Sequence, residues 1–301
     1  MDDRDWGRLV DQLKNGACTP LLGAGAMPGA AGATRQETGA PPSLLDAFAP
    51  TPDAATDPAA AGPAPGAPIR RRDPAFVRQQ MADEILSVPA PDFEARTEPH
   101  ALLARLPLPV YLTTNFDGFL TEALLHHGKH PRSAICPWNR GAEAVGSRDT
   151  DAAHLRFPTS REPVVYHLHG SARHPRSMVV TEDDHMDFAL GLGGERGNDR
   201  RLIPTQLRPA LTTRPLLFLG YDIRDWSVRL LFRGLLRTVA AMEPRRRAVM
   251  QLPPPRANGD PDQVAEKQRQ VSGYYQQWNI AIFWGDLPEF CAALDARLEW
   301  T

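Results

Sequence analysis

Pro215-Leu216-Leu217-Phe218-Leu219 is an uninterrupted apolar run that stops at Gly220-Tyr221-Asp222. A strand with one wet face alternates apolar and polar residues. A run that is apolar at every position is buried on both faces, as in a parallel sheet covered by helices. Similar runs recur along the chain. Val110-Tyr111-Leu112-Thr113 stops at Thr114-Asn115-Phe116-Asp117-Gly118 and hands over to helix-forming Phe119–Leu125. Pro20-Leu21-Leu22 stops at Gly23-Ala24-Gly25-Ala26, and Val164-Val165-Tyr166 runs through His167-Leu168-His169 to Gly170. Met178-Val179-Val180 reads as a strand before an acidic helix start, and Ala248–Leu252 and Ile280–Trp284 complete the set. Apolar residues at helical spacing fill Asp5–Gly16, Phe76–Val88, Pro99–Leu106, Arg201–Leu211, Ile223–Val239, Glu266–Trp278 and Leu287–Trp300. The expected fold class is therefore α/β. It is a doubly wound, Rossmann-like parallel sheet with helices on both faces, in one domain spanning residues 1–301. Gly128–Pro163 reads as irregular, and residues 47–75, dominated by alanine and proline, as a flexible insertion.

A chain of 301 residues with 42% hydrophobic content is long enough for such a core. Its net charge of -2 gives no global field for nucleic acid or anionic membrane, so neither partner is expected. The basic runs Arg70-Arg71-Arg72 and Arg245-Arg246-Arg247 read as solvated surface charge. No stretch approaches the roughly 18–20 apolar residues of a membrane helix, and the acidic start Met1-Asp2-Asp3 is unlike a signal peptide. Cys18, Cys136 and Cys291 are scattered, so neither a disulfide framework nor a zinc ribbon is expected. A cytoplasmic protein is the expectation.

In open parallel sheets ligands bind at the carboxyl ends of the strands. There the sequence places Gly23-Ala24-Gly25-Ala26, Thr114-Asn115 with Asp117, His169-Gly170, Gly220-Tyr221-Asp222 and Gly285-Asp286. A glycine turn after a strand lets backbone amides approach a phosphate. The dehydrogenase fingerprint is incomplete, because Pro28 stands where its third glycine belongs. Asp117 has two readings, a helix N-cap or a site carboxylate. His167 and His169, two apart, would share one face of a strand, and their pairing raises a metal site or a catalytic base. Without a third ligand at matching spacing, no metal is expected.

In this order, the Gly23-Ala24-Gly25 turn, Thr114-Asn115-Phe116-Asp117, His169-Gly170-Ser171, Gly220-Tyr221-Asp222 with Asp225-Trp226, and Gly285-Asp286 before Phe290 resemble the sirtuin superfamily. The likeness is to the zinc-less sirtuin-like domain of bacterial anti-phage NAD-hydrolysing effectors. The resemblance implies NAD as substrate. It assigns the NAD diphosphate to Gly23, Ala24, Gly25 and Ala26, and the nicotinamide ribose to Thr114 and Asn115. A ribose-activating base falls on His169, an orienting role on Asp117, and the adenosine half on Gly220, Tyr221, Asp222, Gly285 and Asp286. Protein deacylases of the superfamily carry a four-cysteine zinc module, which three cysteines cannot build. Met27 stands where many relatives continue towards a loop-closing arginine, a part that could fall to Arg35.

The resemblance thus implies an NAD glycohydrolase that releases nicotinamide, with Asn115, His169 and Asp117 as catalytic residues. Water at C1′ gives ADP-ribose, and an internal ring nitrogen gives a cyclic product. Two alternatives stand: an NAD-dependent protein deacylase or ADP-ribosyltransferase, and a non-catalytic module that binds NAD or ADP-ribose. An NAD-depleting enzyme needs gating, so a homo-oligomer is expected, together with a regulatory protein or further domain that senses infection. Thr301 follows the last helix directly, which places such a domain in another protein or a longer parent chain.

Overall fold

The computed structural model describes residues 1–28, 74–149, 155, 157–192, 202–223, 225–240, 248–254 and 261–299. Seven strands form one sheet: β1 (Thr19–Leu22), β2 (Val110–Thr113), β3 (Arg132–Ile135), β4 (Val164–His167), β5 (Leu216–Leu219), β6 (Ala248–Leu252) and β7 (Ile280–Trp284). Their spatial order is β3-β4-β2-β1-β5-β6-β7, and every neighbouring pair is parallel. Every residue of β1, β2, β4 and β5 is buried, as strands covered on both faces require, with Thr19, Thr113 and His167 as their buried polar members.

Ten helices surround the sheet among the described residues: α1 (Asp3–Lys14), α2 (Pro74–Ser87), α3 (Pro99–Arg105), α4 (Phe119–His126), α5 (Arg140–Asp149), α6 (Glu182–Leu192), α7 (Arg208–Thr212), α8 (Trp226–Ala240), α9 (Pro261–Gln276) and α10 (Leu287–Leu298). Alternation along the strands divides the interior in two. Leu21, Leu112, Tyr166 and Phe218 meet Phe188 of α6, Leu211 of α7 and Phe232 of α8. Leu22, Tyr111, Val165 and Leu217 face the other way, against Leu9 and Leu13 of α1, Leu102 of α3, Leu124 of α4 and Phe290 of α10. The sheet is thus doubly wound, as its sequence implies. The chain leaves β1 for β2 on one side and continues through β5 on the other. This puts the topological switch point between β1 and β5.

Local chemistry explains three of the helix starts. The Asp2 carboxylate accepts the Asp5 N–H at the start of α1, and Glu98 accepts the Ala101 N–H ahead of Pro99 in α3. Asp286 and Glu289 form a reciprocal capping box on α10.

Four readings need correction. The Gly128–Pro163 region contains strand β3 and helix α5. As an edge strand, β3 buries only Ala134 and Ile135 and leaves Arg132 and Ser133 partly or fully exposed, so its pattern is half polar. Met178-Val179-Val180 is not a strand but an irregular strap, and its apolar side chains are buried beneath α2 and α6. Among its described residues, 202–211, the Arg201–Leu211 region contributes only the start of the short helix α7, because Pro204 precedes it and Pro209 fits only its first turn. Of the 47–75 insertion, residues 47–73 lie outside the described residues, while Pro74 and Ala75 open α2. No described helix is long and apolar enough to cross a membrane.

Candidate functional site

The sheet register sets the site. Leu22 pairs with Thr113 and with Leu219, and Thr113 pairs with His167, so four neighbouring strands end level. The four loops that follow them are cross-linked. Thr114 donates its N–H to Leu22 O at 2.9 Å, and the Tyr221 hydroxyl donates to the same carbonyl at 2.9 Å. The Thr114 and Tyr221 hydroxyls lie 3.1 Å apart. Ala172 donates its N–H to Phe116 O at 2.8 Å, joining the β4 loop to the β2 loop.

The two glycine loops at the switch point interlock. Gly25 N–H donates to Gly220 O at 2.8 Å, and Gly220 has the left-handed φ of 73°. A Cβ on Gly220 would lie 2.7 Å from Ala26 N, and one on Gly23 would lie 2.7 Å from the Tyr221 ring. The glycines therefore serve first to let two backbones touch. Gly23, Gly25 and Ala26 N–H groups bond to carbonyls of the fold, and exposed Ala24 N–H is the turn's remaining donor among the described residues.

Asn115 and Asp117 are both buried on the β2 loop. Thr113 Oγ1 accepts the Asn115 backbone N–H at 3.0 Å, which turns the chain at the strand end. Asp117 Oδ1 accepts the Phe119 N–H at 3.0 Å, so this oxygen holds the first turn of α4. Its Oδ2 and the Asn115 side-chain Nδ2 are buried with no hydrogen-bond partner among the described residues. The N-cap of α4 is Gly118, with no side-chain capping bond, so Asp117 is not the helix cap: one of its oxygens meets the first N–H of α4 from the position before the cap, and the other has no partner among the described residues.

β4 ends at His167, and Leu168 and His169 lie in the turn beyond it, so the two histidines do not share a strand face. His167 Nδ1 lies 3.4 Å from Asn115 O. His169 instead packs edge-on against Phe188, with centroids 4.8 Å apart, and against His185 at 5.3 Å. His169 Nε2 is buried without a partner among the described residues. Burial, with a smaller contribution from His185, holds the His169 imidazole well below its ordinary pKa, so it is neutral at pH 7. Gly170 is not a loose joint. Its φ is 87°, and a Cβ there would lie 2.1 Å from Ser177 O, where the turn Pro175–Ser177 folds back.

The remaining loops have structural uses of their own. The Asp286 carboxylate is the α10 cap, accepting Glu289 N–H at 2.8 Å. Gln251, buried in β6, accepts the Gly220 N–H at 2.9 Å and donates to Gly285 O at 2.8 Å, tying the β5 and β7 loops together. Sequence reading missed it, although an amide inside Ala248–Leu252 was the available signal. No spacing rule connects His185 to His169, so the contact between them has no signal in the sequence. Among the described residues no group of three or more His, Cys, Asp or Glu is placed to hold a metal. The three cysteines are buried core residues, with Cys18 and Cys136 thiols pushed up to about 12 by burial. Arg35 lies outside the described residues.

Residues 109–283, more than half of the chain, match the family model described as a SIR2-like domain. Curated relatives include proteins named NAD(+) hydrolase ThsA. The one from Acinetobacter baumannii (strain 532279) is 28% identical over 130 residues, covering 43% of this chain and 22% of the relative. That from Cytobacillus dafuensis is 27% identical over 128 residues, covering 42% and 22%. That from Bacillus cereus (strain MSX-D12) is 27% identical over 129 residues, covering 43% and 22%. The matched stretch spans about a fifth of the length of these relatives.

Proposed function

We propose, from the premise that this chain belongs to the SIR2-like domain family, that it is an NAD(+) hydrolase, which cleaves NAD to nicotinamide and ADP-ribose. One observation carries the reading. Asn115 Nδ2, Asp117 Oδ2 and His169 Nε2 are buried at the carboxyl edge of adjacent strands with no hydrogen-bond partner among the described residues. Leaving such atoms unmade costs roughly 1–3 kcal/mol each unless a ligand completes them. The names of the relatives supply the substrate.

Cleavage breaks the C1′–nitrogen bond between ribose and nicotinamide, through an oxocarbenium-like state similar to that of glycoside hydrolysis. Nicotinamide leaves neutral, with the bonding pair. A water oxygen bonds to C1′, and its proton goes to His169, which is neutral and whose Nε2 has no other partner among the described residues. Asn115 orients the ribose or the water through its free amide, and Asp117 orients its neighbours. Thr114 lies with Asn115 on the nicotinamide-ribose side, and Gly23, Ala24, Gly25 and Ala26 line the diphosphate side, with Ala24 N–H as the turn's available donor among the described residues. Gly220, Tyr221, Asp222, Gly285 and Asp286 take the adenosine half. The protein acts in the cytoplasm as a gated effector of anti-phage defence, assembled as a homo-oligomer and controlled by a partner protein or further domain.

NAD consumption by the purified chain, with products separated by chromatography, tests this beside Asn115→Ala and His169→Ala. Release of nicotinamide and ADP-ribose that both variants abolish supports the reading. Turnover that survives both variants sinks the site assignment. Nicotinamide release only with an acylated peptide would make the protein a deacylase, and NAD binding without turnover would make it a binding module.

A further inference from the structure

His169 is held in an unusual way for a base. Its Nε2 has no hydrogen-bond partner among the described residues, so no carboxylate or carbonyl orients the ring through that atom. Its ring and its backbone are instead gripped from the first turns of α6. His185 presents its ring edge-on to His169 at 5.3 Å and 85°, and Trp226 at the start of α8 backs His185 at 5.7 Å. His185 Nδ1 lies 2.9 Å from Thr181 O, so Nδ1 carries the proton and donates it there, which fixes the ring's orientation.

The neighbouring residue grips the backbone. Asp184 Oδ2 accepts the N–H groups of Val180 and Thr181, both at 2.9 Å. Both Asp184 oxygens also accept from the Arg78 guanidinium of α2, at 2.8 and 2.6 Å, and Arg78 Nε donates to Met178 O at 3.3 Å. Three members of the strap Met178–Thr181 are thus tied to the Arg78–Asp184 pair. The fourth, Val179, donates its N–H to His169 O at 2.8 Å. Val77, Ala82 and Ile85 of α2 pack on Ala172, Met178 and Val180 around the same strap. The ion pair is largely shielded, with side-chain exposures of 18% and 13%.

We propose that Arg78, Asp184 and His185 form a positioning clamp for His169 in NAD cleavage, with Arg78–Asp184 setting the height of its backbone and His185 the plane of its ring. The inference rests on the reading of His169 as the base. None of the three clamp residues is assigned contact with NAD. Their loss should therefore appear in turnover rather than in substrate affinity, because a misplaced catalytic group slows the chemical step.

The test measures kcat and KM for NAD, thermal stability, and the imidazole nitrogen resonances of His169 in the full chain. Arg78→Met and His185→Ala should each lower kcat on the order of 10- to 100-fold with KM within about twofold. His185→Phe, which keeps the ring edge, should recover most of the loss, and Arg78→Lys, which keeps one charged donor, should recover part. The His169 resonances should move in Arg78→Met and His185→Ala, and this readout holds whether or not the chain turns NAD over. Unmoved resonances, or full kcat in both variants while His169→Ala is dead, overturn the clamp. A rise in kcat for Arg78→Met overturns it too, since α2 would then act as a cover over the site. Equal losses in His185→Phe and His185→Ala reject the ring contact. Full turnover in His169→Ala would instead overturn the hydrolase site itself.

Discussion

Gly220→Ala tests the interlock at the switch point. Gly220 sits at φ 73°, and an alanine in the left-handed region costs about 1–2 kcal/mol. Its Cβ would lie 2.7 Å from Ala26 N, 2.9 Å from Gly23 O and 3.0 Å from Gly25 C. All three are backbone atoms of the facing turn and cannot swing aside as a flexible side chain does. Forcing them apart adds roughly 1–3 kcal/mol, the usual cost of overpacking. The total, about 2–5 kcal/mol, is a large part of the roughly 5–15 kcal/mol that holds an ordinary domain together. The variant should fold with a much lower urea midpoint and an unchanged m-value. Gly7→Ala and Gly273→Ala are the controls. Both glycines are exposed inside helices with nothing within 4 Å of an added Cβ, so each change should stabilise by about 0.5–1 kcal/mol. KM for NAD should rise in Gly220→Ala alone, because the turn that receives the diphosphate is pushed away. A Gly220→Ala midpoint equal to that of Gly273→Ala would refute the contact argument.

Three further outcomes are expected. Burial holds both His167 and His169 below the ordinary imidazole value of 6.5 that they regain on unfolding. The unfolded chain therefore takes up more protons at acid pH. Stability should be full above about pH 6.5 and fall as pH drops towards the folded values. His169→Gln should flatten that fall in urea titrations between pH 7 and 5, and an identical slope would show that His169 is not buried as neutral imidazole. Gln251→Leu leaves Gly220 N–H and Gly285 O without their partner, so it should cost about 1–3 kcal/mol and raise KM for NAD; calorimetry and steady-state kinetics both read this, and wild-type values in both would remove Gln251 from the account. Asp286→Ser keeps an acceptor for the Glu289 N–H while removing the charge, so stability should stay within about 0.5 kcal/mol. Kinetics then separates the two uses of Asp286: a raised KM places its carboxylate beside NAD, and an unchanged KM leaves it a helix cap only.

The strands were legible where burial leaves no ambiguity. Leu216–Leu219 and Val110–Thr113 are apolar or β-branched throughout and lie in the middle of the sheet. Legibility failed at the edge, where β3 is half polar. It failed again at Met178-Val179-Val180, whose apolar side chains are buried in a strap without sheet hydrogen bonds. Apolar character reports burial, and burial alone does not specify a strand. Asn115, Asp117 and His169 were found because small polar or titratable residues stood out directly after apolar runs. Gln251 and the Arg78–Asp184 pair were not, because their partners lie 31 to 106 residues away.

By itself, then, the sequence determined that helices would cover both faces of a parallel sheet and that glycines and site candidates would gather at its carboxyl edge. Those facts follow from local pattern, since alternation and turn chemistry act within a few residues. Tertiary structure decided what each group is free to do. It spent three amides of the glycine turn on the fold and left Ala24 N–H over among the described residues. It gave one Asp117 oxygen to helix α4 and left the other unpartnered among the described residues. It also set His169 against His185 from a separate helix. Hydrogen-bond satisfaction and ring packing depend on which distant segments meet, and only the closed sheet with its helices brings those segments together.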